Sequence, residues 1–210
     1  MAYAVKTPWW LSRLVYPRLT WSMPAGDAPA VYLTFDDGPH PTITPFVLEQ
    51  LKRYDAKATF FCIGKNVVDH PDVYKQILEA QHTVGNHTHN HLNGWHTKTD
   101  AYIGNVQRAA KHINSRLFRP PYGRIKRSQA GRLLQAHPQW HVYMWDVLSG
   151  DFDTGITAER CTENVLNNIQ PGSIVVFHDS EKAWPRMQHA LPAVLAYCKQ
   201  QNWQLKALPQ

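Results

Sequence analysis

The sequence predicts an α/β fold in which parallel strands and helices alternate within one barrel-like domain. Short apolar runs alternate along the chain with segments of helical periodicity, which is the pattern of βα units that build a parallel sheet. The chain has 210 residues, of which 43% are hydrophobic, so it is long enough to bury a complete core. We therefore expect residues 31–210 to form a single domain.

The predicted elements follow one another in a regular order. The first strand is the apolar run at residues 31–33, and it precedes a helix with Ile43, Val47 and Leu51 on one face. The unit then repeats, with strands predicted at residues 58–62, 83–85, 117–118, 141–145 and 174–177. Helical periodicity predicts the remaining helices at residues 73–78, 102–113, 158–169 and 191–198.

The composition argues against a nucleic-acid partner, although the formal net charge is +6. The Lys and Arg residues are dispersed and form no run of five or more, so ordinary surface charge explains the balance better. Three cysteines, Cys62, Cys161 and Cys198, cannot all pair within one chain. Two of them occupy apolar positions of helical patterns, which predicts buried reduced thiols and favours a reducing compartment.

Residues 1–30 form an N-terminal segment that we expect to pack on the barrel. The segment is rich in aromatic residues, but Arg13 and Arg18 interrupt it before the apolar run of a signal peptide or a membrane span can form. The lack of a recognisable signal peptide predicts a cytoplasmic location. The alternative for this segment is a weak interfacial membrane contact made by Trp9, Trp10, Trp21, Arg13 and Arg18.

Two adjacent carboxylates end the first predicted strand and are the strongest candidates for chemistry. Asp36 and Asp37 lie in the sequence Thr-Phe-Asp-Asp-Gly-Pro at residues 34–39. A buried strand that ends in two acids places like charges where the backbone leaves the core, so a compensating cation is expected beside them. Taken alone, an Asp-Asp-Gly-Pro segment is more often an ordinary turn.

Two histidines supply a candidate site for that cation. His87 and His91 lie four residues apart, a spacing that would place both imidazoles on one side of a helical turn. Two imidazoles and one carboxylate form a three-ligand set of the kind that catalytic zinc uses, with a fourth position left for water or substrate. A lone His-x-x-x-His pattern is more often a solvated helix face, and the residues alone do not decide whether Asp36 or Asp37 faces the metal.

Three later strands also end in polar side chains. Arg119 follows the strand at residues 117–118, Asp151 follows the apolar run that ends at Trp145, and His178 follows the strand at residues 174–177. In barrel folds the carboxyl ends of the strands converge on one face. We therefore predict that a single pocket contains Asp36, Asp37, His87, His91, Arg119, Asp151 and His178.

The order of these motifs resembles that of the NodB-homology polysaccharide deacetylases, the carbohydrate esterase family 4 type of enzyme. Three motifs are intact, namely residues 34–39, the His-Thr-His-Asn-His of residues 87–91 and the Arg-Pro-Pro-Tyr-Gly of residues 119–123. A fifth motif is recognisable at residues 176–178, with Val176 where leucine is usual. The fourth departs from the family, because Leu148 replaces its first acid and Phe152 its tryptophan, while Asp151 keeps the second acid.

The resemblance implies a distorted (β/α)7-type barrel, the NodB homology fold. It also implies a hydrolase that removes N-acetyl groups from a glycan or sugar conjugate containing N-acetylglucosamine, so the expected partner is an acetylated carbohydrate. Asp37, His87 and His91 would hold a divalent metal. Zinc suits this mixed imidazole and carboxylate set best, with cobalt, manganese and nickel as alternatives.

The resemblance further implies a role for each remaining polar residue of the predicted pocket. Asp36 would be the general base, held ionised and oriented by Arg119. His178 would be the general acid, and Asp151 would keep its imidazole charged. The backbone N–H of Tyr122 would help to stabilise the oxyanion that forms when the acetamide is attacked.

Three apolar residues complete the expected site. Trp145, Phe152 and Val176 would line the pocket for the acetyl methyl group. Two other functions remain open at this stage: a non-carbohydrate amidase of the same fold, and a catalytically silent carbohydrate-binding relative. The intact set of acid, base and ligand residues counts against the silent relative.

Overall fold

Eight parallel strands form one curled sheet in the computed structural model, which describes residues 3–24, 26 and 28–210. The strands are β1 (Ala30–Asp36), β2 (Thr59–Cys62), β3 (Thr83–Asn86), β4 (Leu117–Phe118), β5 (His141–Val142), β6 (Val147–Leu148), β7 (Ile174–His178) and β8 (Gln204–Leu205). Seven of them lie in the order β5, β4, β3, β2, β1, β7, β6, and β8 pairs with the start of β1. Since β5 and β6 end this order without pairing, the described sheet is an open half-barrel, and the predicted α/β barrel fold is confirmed in this form.

Helices cover the outer face of the sheet. They are α1 (Ile43–Arg53), α2 (Gly64–Asp69), α3 (Pro71–Glu79), α4 (Thr99–Ala110), α5 (Arg127–Ala136), α6 (Ala158–Leu166) and α7 (Trp184–Gln200). Local signals set several of their ends: Pro71 opens α3, and the Thr157 hydroxyl caps α6 by accepting a hydrogen bond from the backbone N–H of Arg160 at 3.2 Å.

Side chains of the two central strands alternate between the faces of the sheet. Phe35 of β1 and Phe177 of β7 point outward into the core beneath the helices, where they stack on each other at 6.1 Å between ring centroids. The next residues, Asp36 and His178, therefore point inward, and the strand register places them side by side. The pairing of β1 with β7 thus fixes the candidate base opposite the candidate acid.

The interior of the half-barrel below these polar residues is apolar. Phe61, Leu117, Tyr143, Ile174 and Leu208 are buried there against one another. Because the interior is filled by this cluster, polar side chains at the carboxyl ends of the strands are confined to one open face.

Some elements differ from the sequence prediction. The strand predicted at residues 141–145 pairs only at His141–Val142, because the chain then leaves the sheet before it returns as β6. The sequence also did not predict β6, β8, α2 or α5, each of which is short or largely polar.

The N-terminal segment crosses the gap between the two edges of the sheet. Beside β5, Thr20 donates its N–H to the carbonyl of Val142 at 3.0 Å and accepts from the N–H of Met144 at 2.7 Å. Beside β6, the N–H of Leu148 donates to the carbonyl of Val5 at 2.8 Å. Both edge strands therefore have hydrogen-bonding partners in this segment.

Among the described residues, no helix is long and apolar enough to cross a membrane.

Candidate active site

A buried ion pair stands at the carboxyl end of β1. The Arg119 Nη1 donates to Asp36 Oδ1 at 2.8 Å and to Thr34 Oγ1 at 2.6 Å. The same guanidinium donates to the carbonyls of Met144 at 2.8 Å and Tyr143 at 3.2 Å. Arg119 is fully buried and Asp36 is only 3% exposed. A wholly enclosed guanidinium with all three nitrogens hydrogen-bonded holds its carboxylate partner in one orientation.

Three potential metal ligands lie beside this ion pair. One ligand atom from each of Asp37, His87 and His91 falls within 4.8 Å of the others. His91 Nε2 is 3.1 Å and His87 Nε2 is 3.7 Å from Asp37 Oδ1. His87 Nδ1 donates to the carbonyl of Arg119 at 2.8 Å, which leaves its Nε2 free to act as a ligand.

The electrostatics of the cluster suit a bound cation. Burial opposes ionisation of Asp37, but the surrounding histidines, His91 foremost, hold the pKa of Asp37 well below its usual range. Burial lowers the pKa of His87 to about 4, so its imidazole is neutral and able to ligate at neutral pH. Among the described residues, Asp37 Oδ1 is buried without an aligned hydrogen-bond donor. A divalent cation at this point would satisfy that oxygen.

The two histidines reach the cluster from a loop, so the predicted helical turn is wrong. The chain after β3 takes no helical conformation until residue 94, and Thr88 and His91 adopt positive φ values of 62° and 53°. Asn105 of α4 holds the loop through its side-chain oxygen, which accepts from the N–H groups of His89 at 2.8 Å and Asn90 at 2.9 Å. The loop curvature, rather than helical periodicity, brings the ligands together.

A second charged pair lies at the end of β7. His178 Nδ1 is 2.7 Å from Asp151 Oδ1, and the backbone N–H of His178 donates to Asp151 Oδ2 at 2.6 Å. Although burial lowers the pKa of His178, the charge and hydrogen bond of Asp151 raise it on balance to about 10. Arg186 of α7 donates its Nε–H to the Asp151 carbonyl at 2.6 Å and so fixes the backbone that carries this acid.

Aromatic residues surround the polar groups. The Tyr122 ring lies on His91 with 4.5 Å between centroids, and Tyr122 has a φ of 60° in the helical turn Pro121–Gly123. Trp145 packs on Gly123, where an added Cβ would lie 2.5 Å from the indole. Phe152 places its ring edge-on to His178 at 5.4 Å. Two aromatic side chains therefore contact groups to which the sequence assigns metal binding and acid catalysis.

The turn that follows the two carboxylates is held by a residue that the sequence analysis did not assign. Asp179 Oδ1 accepts from the backbone N–H of Gly38 at 2.9 Å, and its Oδ2 accepts from the Thr44 hydroxyl. The Asp179 N–H donates to the carbonyl of Asp36 at 3.1 Å. Burial and the charge of Asp37 raise the pKa of Asp179 to about 8. Its place directly after His178 was the one signal in the sequence that could have identified it.

Comparison with known proteins bears on what this geometry is for. The sequence model of the polysaccharide deacetylase family matches residues 24–144. The chain belongs to this family. That membership confirms the resemblance and the kind of enzyme predicted from the sequence motifs.

Named relatives of the deacetylase come from bacteria. A peptidoglycan-N-acetylglucosamine deacetylase of Bacillus cereus is 35% identical over 156 residues, which cover 71% of this chain and 56% of that relative. A chitooligosaccharide deacetylase of Azorhizobium caulinodans is 33% identical over 159 residues, which cover 71% of this chain and 73% of that relative. The crystal structure of a peptidoglycan N-acetylglucosamine deacetylase superposes with a TM-score of 0.86 at 30% identity, covering 97% of this chain and 95% of that one.

The structure brings most of the predicted site residues of the deacetylase together. Asp36 contacts Arg119, Asp151 contacts His178, and the potential metal ligands form one cluster. Val176 differs from the other predicted lining residues, because it is 1% exposed and lies one inward position before His178 on β7. The residues that the sequence analysis did not assign are the supporting ones: Thr34, Asn105, Asp179 and Arg186.

Replacing Gly38 by alanine is expected to weaken metal binding and lower stability. A Cβ at Gly38 would lie 2.1 Å from Asp179 Oδ2, so the turn that carries Asp37 must move. Overpacking of this kind costs roughly 1–3 kcal/mol. Zinc affinity by chelator competition and thermal unfolding measure the effect. The control is Gly131→Ala, where nothing lies within 4 Å of the added carbon; equal behaviour of the two variants would contradict the prediction.

Proposed function

We propose that this deacetylase is a divalent-metal-dependent hydrolase of N-acetyl groups on a glycan or sugar conjugate that contains N-acetylglucosamine. The observation that carries the proposal is the placement of the Asp36–Arg119 pair beside the cluster of Asp37, His87 and His91. The named relatives act on peptidoglycan N-acetylglucosamine and chitooligosaccharides, which supports this substrate class. We assign the activity to residues 31–210 as one domain, with residues 1–30 packed on it.

The donor set fits zinc. Two imidazole nitrogens and one carboxylate oxygen are the ligands of many catalytic zinc sites, and three protein ligands leave a position open. The surroundings of Asp37 Oδ1 support the same conclusion: this buried anionic oxygen has no aligned hydrogen-bond donor, and the nitrogens beside it, at 3.1 and 3.7 Å, belong to the two potential ligands His91 and His87. A divalent ion bound there would polarise the acetamide carbonyl and lower the pKa of a water molecule.

Asp36 is the proposed general base. Its Oδ1 is engaged by Arg119, whereas its Oδ2 lies 3.9 Å from His87 Nε2 and therefore faces the ligand cluster. A fixed carboxylate oxygen at this position can accept the proton of the attacking water. Arg119 acts through Asp36, because its guanidinium is enclosed and keeps the carboxylate oriented.

His178 is the proposed general acid. Asp151 engages its Nδ1, so the proton for the leaving amine is carried on Nε2. We assign the backbone N–H of Tyr122 to the developing oxyanion, because the Tyr122 turn lies against the ligand His91. Trp145, Phe152 and Val176 are the proposed lining of the acetyl pocket, on the basis of the contacts of the two aromatic rings and the inward register of Val176.

Replacing Asp151 by asparagine is expected to move the alkaline limb of the kcat profile to lower pH. With a pKa of about 10, His178 stays protonated through neutral pH. The Asp151→Asn change removes the carboxylate that raises this pKa most, while the smaller effects of the Asp37 and Asp36 charges remain. The loss of charged acid should also lower kcat at pH 8 by about tenfold or more. Asp153→Asn is the matched control, since the Asp153 side chain serves the N–H of Gly155 and Tyr3 rather than His178. An unchanged alkaline limb in Asp151→Asn would contradict the assignment.

Acetate release tests the proposed function. Zinc-loaded protein is incubated with N-acetylglucosamine oligomers of increasing length, peptidoglycan fragments, O-acetylated xylan and simple acetamides, beside an Asp36→Asn control. We expect release from the N-acetylglucosamine substrates and none from the control. Hydrolysis of simple amides without any response to sugar length would favour the amidase, and silence of metal-loaded protein across the panel would favour the non-catalytic relative. The cytoplasmic location stays a prediction.

A further inference from the structure

Three large apolar side chains are exposed together on one short element of the N-terminal segment. Trp9 is 67%, Trp10 49% and Leu14 67% exposed, and we call these three residues the aromatic patch. Trp10 and Leu14 lie four residues apart across the π-helical turn Leu11–Val15, so they share one side of it. Single exposed apolar residues are ordinary, but three on one helical turn mark an interaction surface.

The aromatic patch is held by the body of the protein. Thr7 just before it donates its hydroxyl to the carbonyl of Trp145 at 2.8 Å, and Tyr16 just after it donates to the carbonyl of Ile125 at 2.9 Å. Trp21 is 8% exposed and packs in the core, so the prediction that Trp21 joins a membrane contact is wrong. Its indole N–H donates to the carbonyl of Tyr16 at 3.2 Å. The exposed side chains are thus presented by a fixed element.

Positive charge surrounds the aromatic patch. The first 24 residues contain Lys6, Arg13 and Arg18 and no acidic residue. Arg13 and Arg18 are both exposed, whereas Lys6 is paired with Asp146. Arg127, the first residue of α5, adds another exposed positive charge, and its guanidinium donates to the carbonyl of Val15 at 3.1 Å. Tryptophan and leucine flanked by arginine are the combination that binds the headgroup region of anionic bilayers.

We propose that the aromatic patch docks this deacetylase on the surface of an anionic lipid bilayer. Trp9, Trp10 and Leu14 enter the headgroup boundary, and Arg13 and Arg18 pair with lipid phosphates. The contacts of Thr7 and Tyr16 place the patch next to Trp145 and the loop that follows Tyr122. Docking therefore brings one wall of the active site to the lipid surface. The proposal rests on surface residues alone and is independent of the proposed activity.

Vesicle binding tests the proposal on the full chain. Protein is sedimented with vesicles of phosphatidylcholine containing about 30% phosphatidylglycerol, and with pure phosphatidylcholine. We expect partitioning about tenfold or more stronger on the anionic vesicles, with a blue shift of tryptophan emission. The variant Trp9→Ser/Trp10→Ser/Leu14→Ser should lose about tenfold or more of this binding. The control Val68→Ser/Leu78→Ser removes two other exposed apolar residues, 50% and 46% exposed, and should bind as the parent does.

Several outcomes would overturn the proposal. Equal vesicle binding by the parent and the triple variant would show that the aromatic patch does not insert. Binding to a soluble anionic polysaccharide, without binding to either kind of vesicle, would assign the surface to a polyanion instead. Arg13→Gln/Arg18→Gln should weaken binding to anionic vesicles only, and equal effects on both vesicle types would contradict the role of charge. Since the substituted side chains are exposed, far-UV circular dichroism and thermal unfolding should match the parent.

Discussion

Replacing Asp36 by asparagine is expected to lower kcat by about 10²–10⁴-fold while leaving divalent-metal binding intact. Asparagine has nearly the same shape and can still accept a hydrogen bond from Arg119, but its amide cannot take a proton from water. The Oδ2 that faces the ligand cluster is lost as a base, whereas Asp37, His87 and His91 are untouched. Acetate release and zinc affinity by chelator competition, measured on the same preparation, separate the two effects.

The matched variant is Asp37→Ala, in which we expect metal binding itself to be lost rather than kept. It removes one of three ligands and should abolish tight zinc binding, with activity lost as a consequence. The two neighbouring carboxylates then differ in a measurable way, one variant holding metal without turnover and the other holding neither. Near-normal rates in Asp36→Asn would exclude it as the base, and loss of metal in that variant would exchange the roles of the two acids.

The sequence predicted which polar residues come together at the strand ends better than it predicted the local structure around them. Asp36, Arg119 and His178 each follow a strongly apolar run, and parallel strands bring such positions to one face whatever the details of the loops. Side chains alternate along each strand, and Phe35 and Phe177 face the helices. The next residues, Asp36 and His178, therefore face the interior of the half-barrel. The apolar pattern of these strands predicts the side-chain directions well, because the apolar side chains must be buried.

The loops were less predictable, because long-range hydrogen bonds shape them. The spacing of His87 and His91 suggests a helical turn, yet Asn105, fourteen or more residues away, anchors the loop through two backbone N–H groups. Asp179 likewise stabilises a turn 141 residues earlier in the chain. No local propensity in either segment encodes such a partner.

The missed elements have a similar explanation. Helix α5 buries only Gln129, Ala130 and Leu133, so its apolar periodicity is too weak to stand out from the surrounding polar sequence. The two-residue strand β6 pairs with β7 on one side and with the N-terminal segment on the other. Its existence depends on partners more than 25 residues away in either direction, which periodicity does not report.

Replacing Arg119 by methionine is expected to destabilise the protein by about 3–5 kcal/mol, because it leaves the Asp36 carboxylate buried without its cation. The carbonyls of Tyr143 and Met144 also lose their donor. For a chain of this length the loss corresponds to a fall in Tm of roughly 6–20 °C. Thermal unfolding in the presence of a chelator measures it without a contribution from bound metal.

The double variant Asp36→Asn/Arg119→Met separates the charge from the lost hydrogen bonds. Once the carboxylate is neutral, no unpaired charge remains in the core, so the double variant should be more stable than Arg119→Met alone. It should still be less stable than the parent, since the carbonyls of Tyr143 and Met144 remain without a donor. Arg119→Lys keeps the charge but loses the planar fork, and we expect it to fall between the parent and Arg119→Met. If the double variant is no more stable than Arg119→Met, the guanidinium stabilises the protein through the backbone carbonyls rather than through the Asp36 carboxylate. Arg119 would then not be what orients the proposed base.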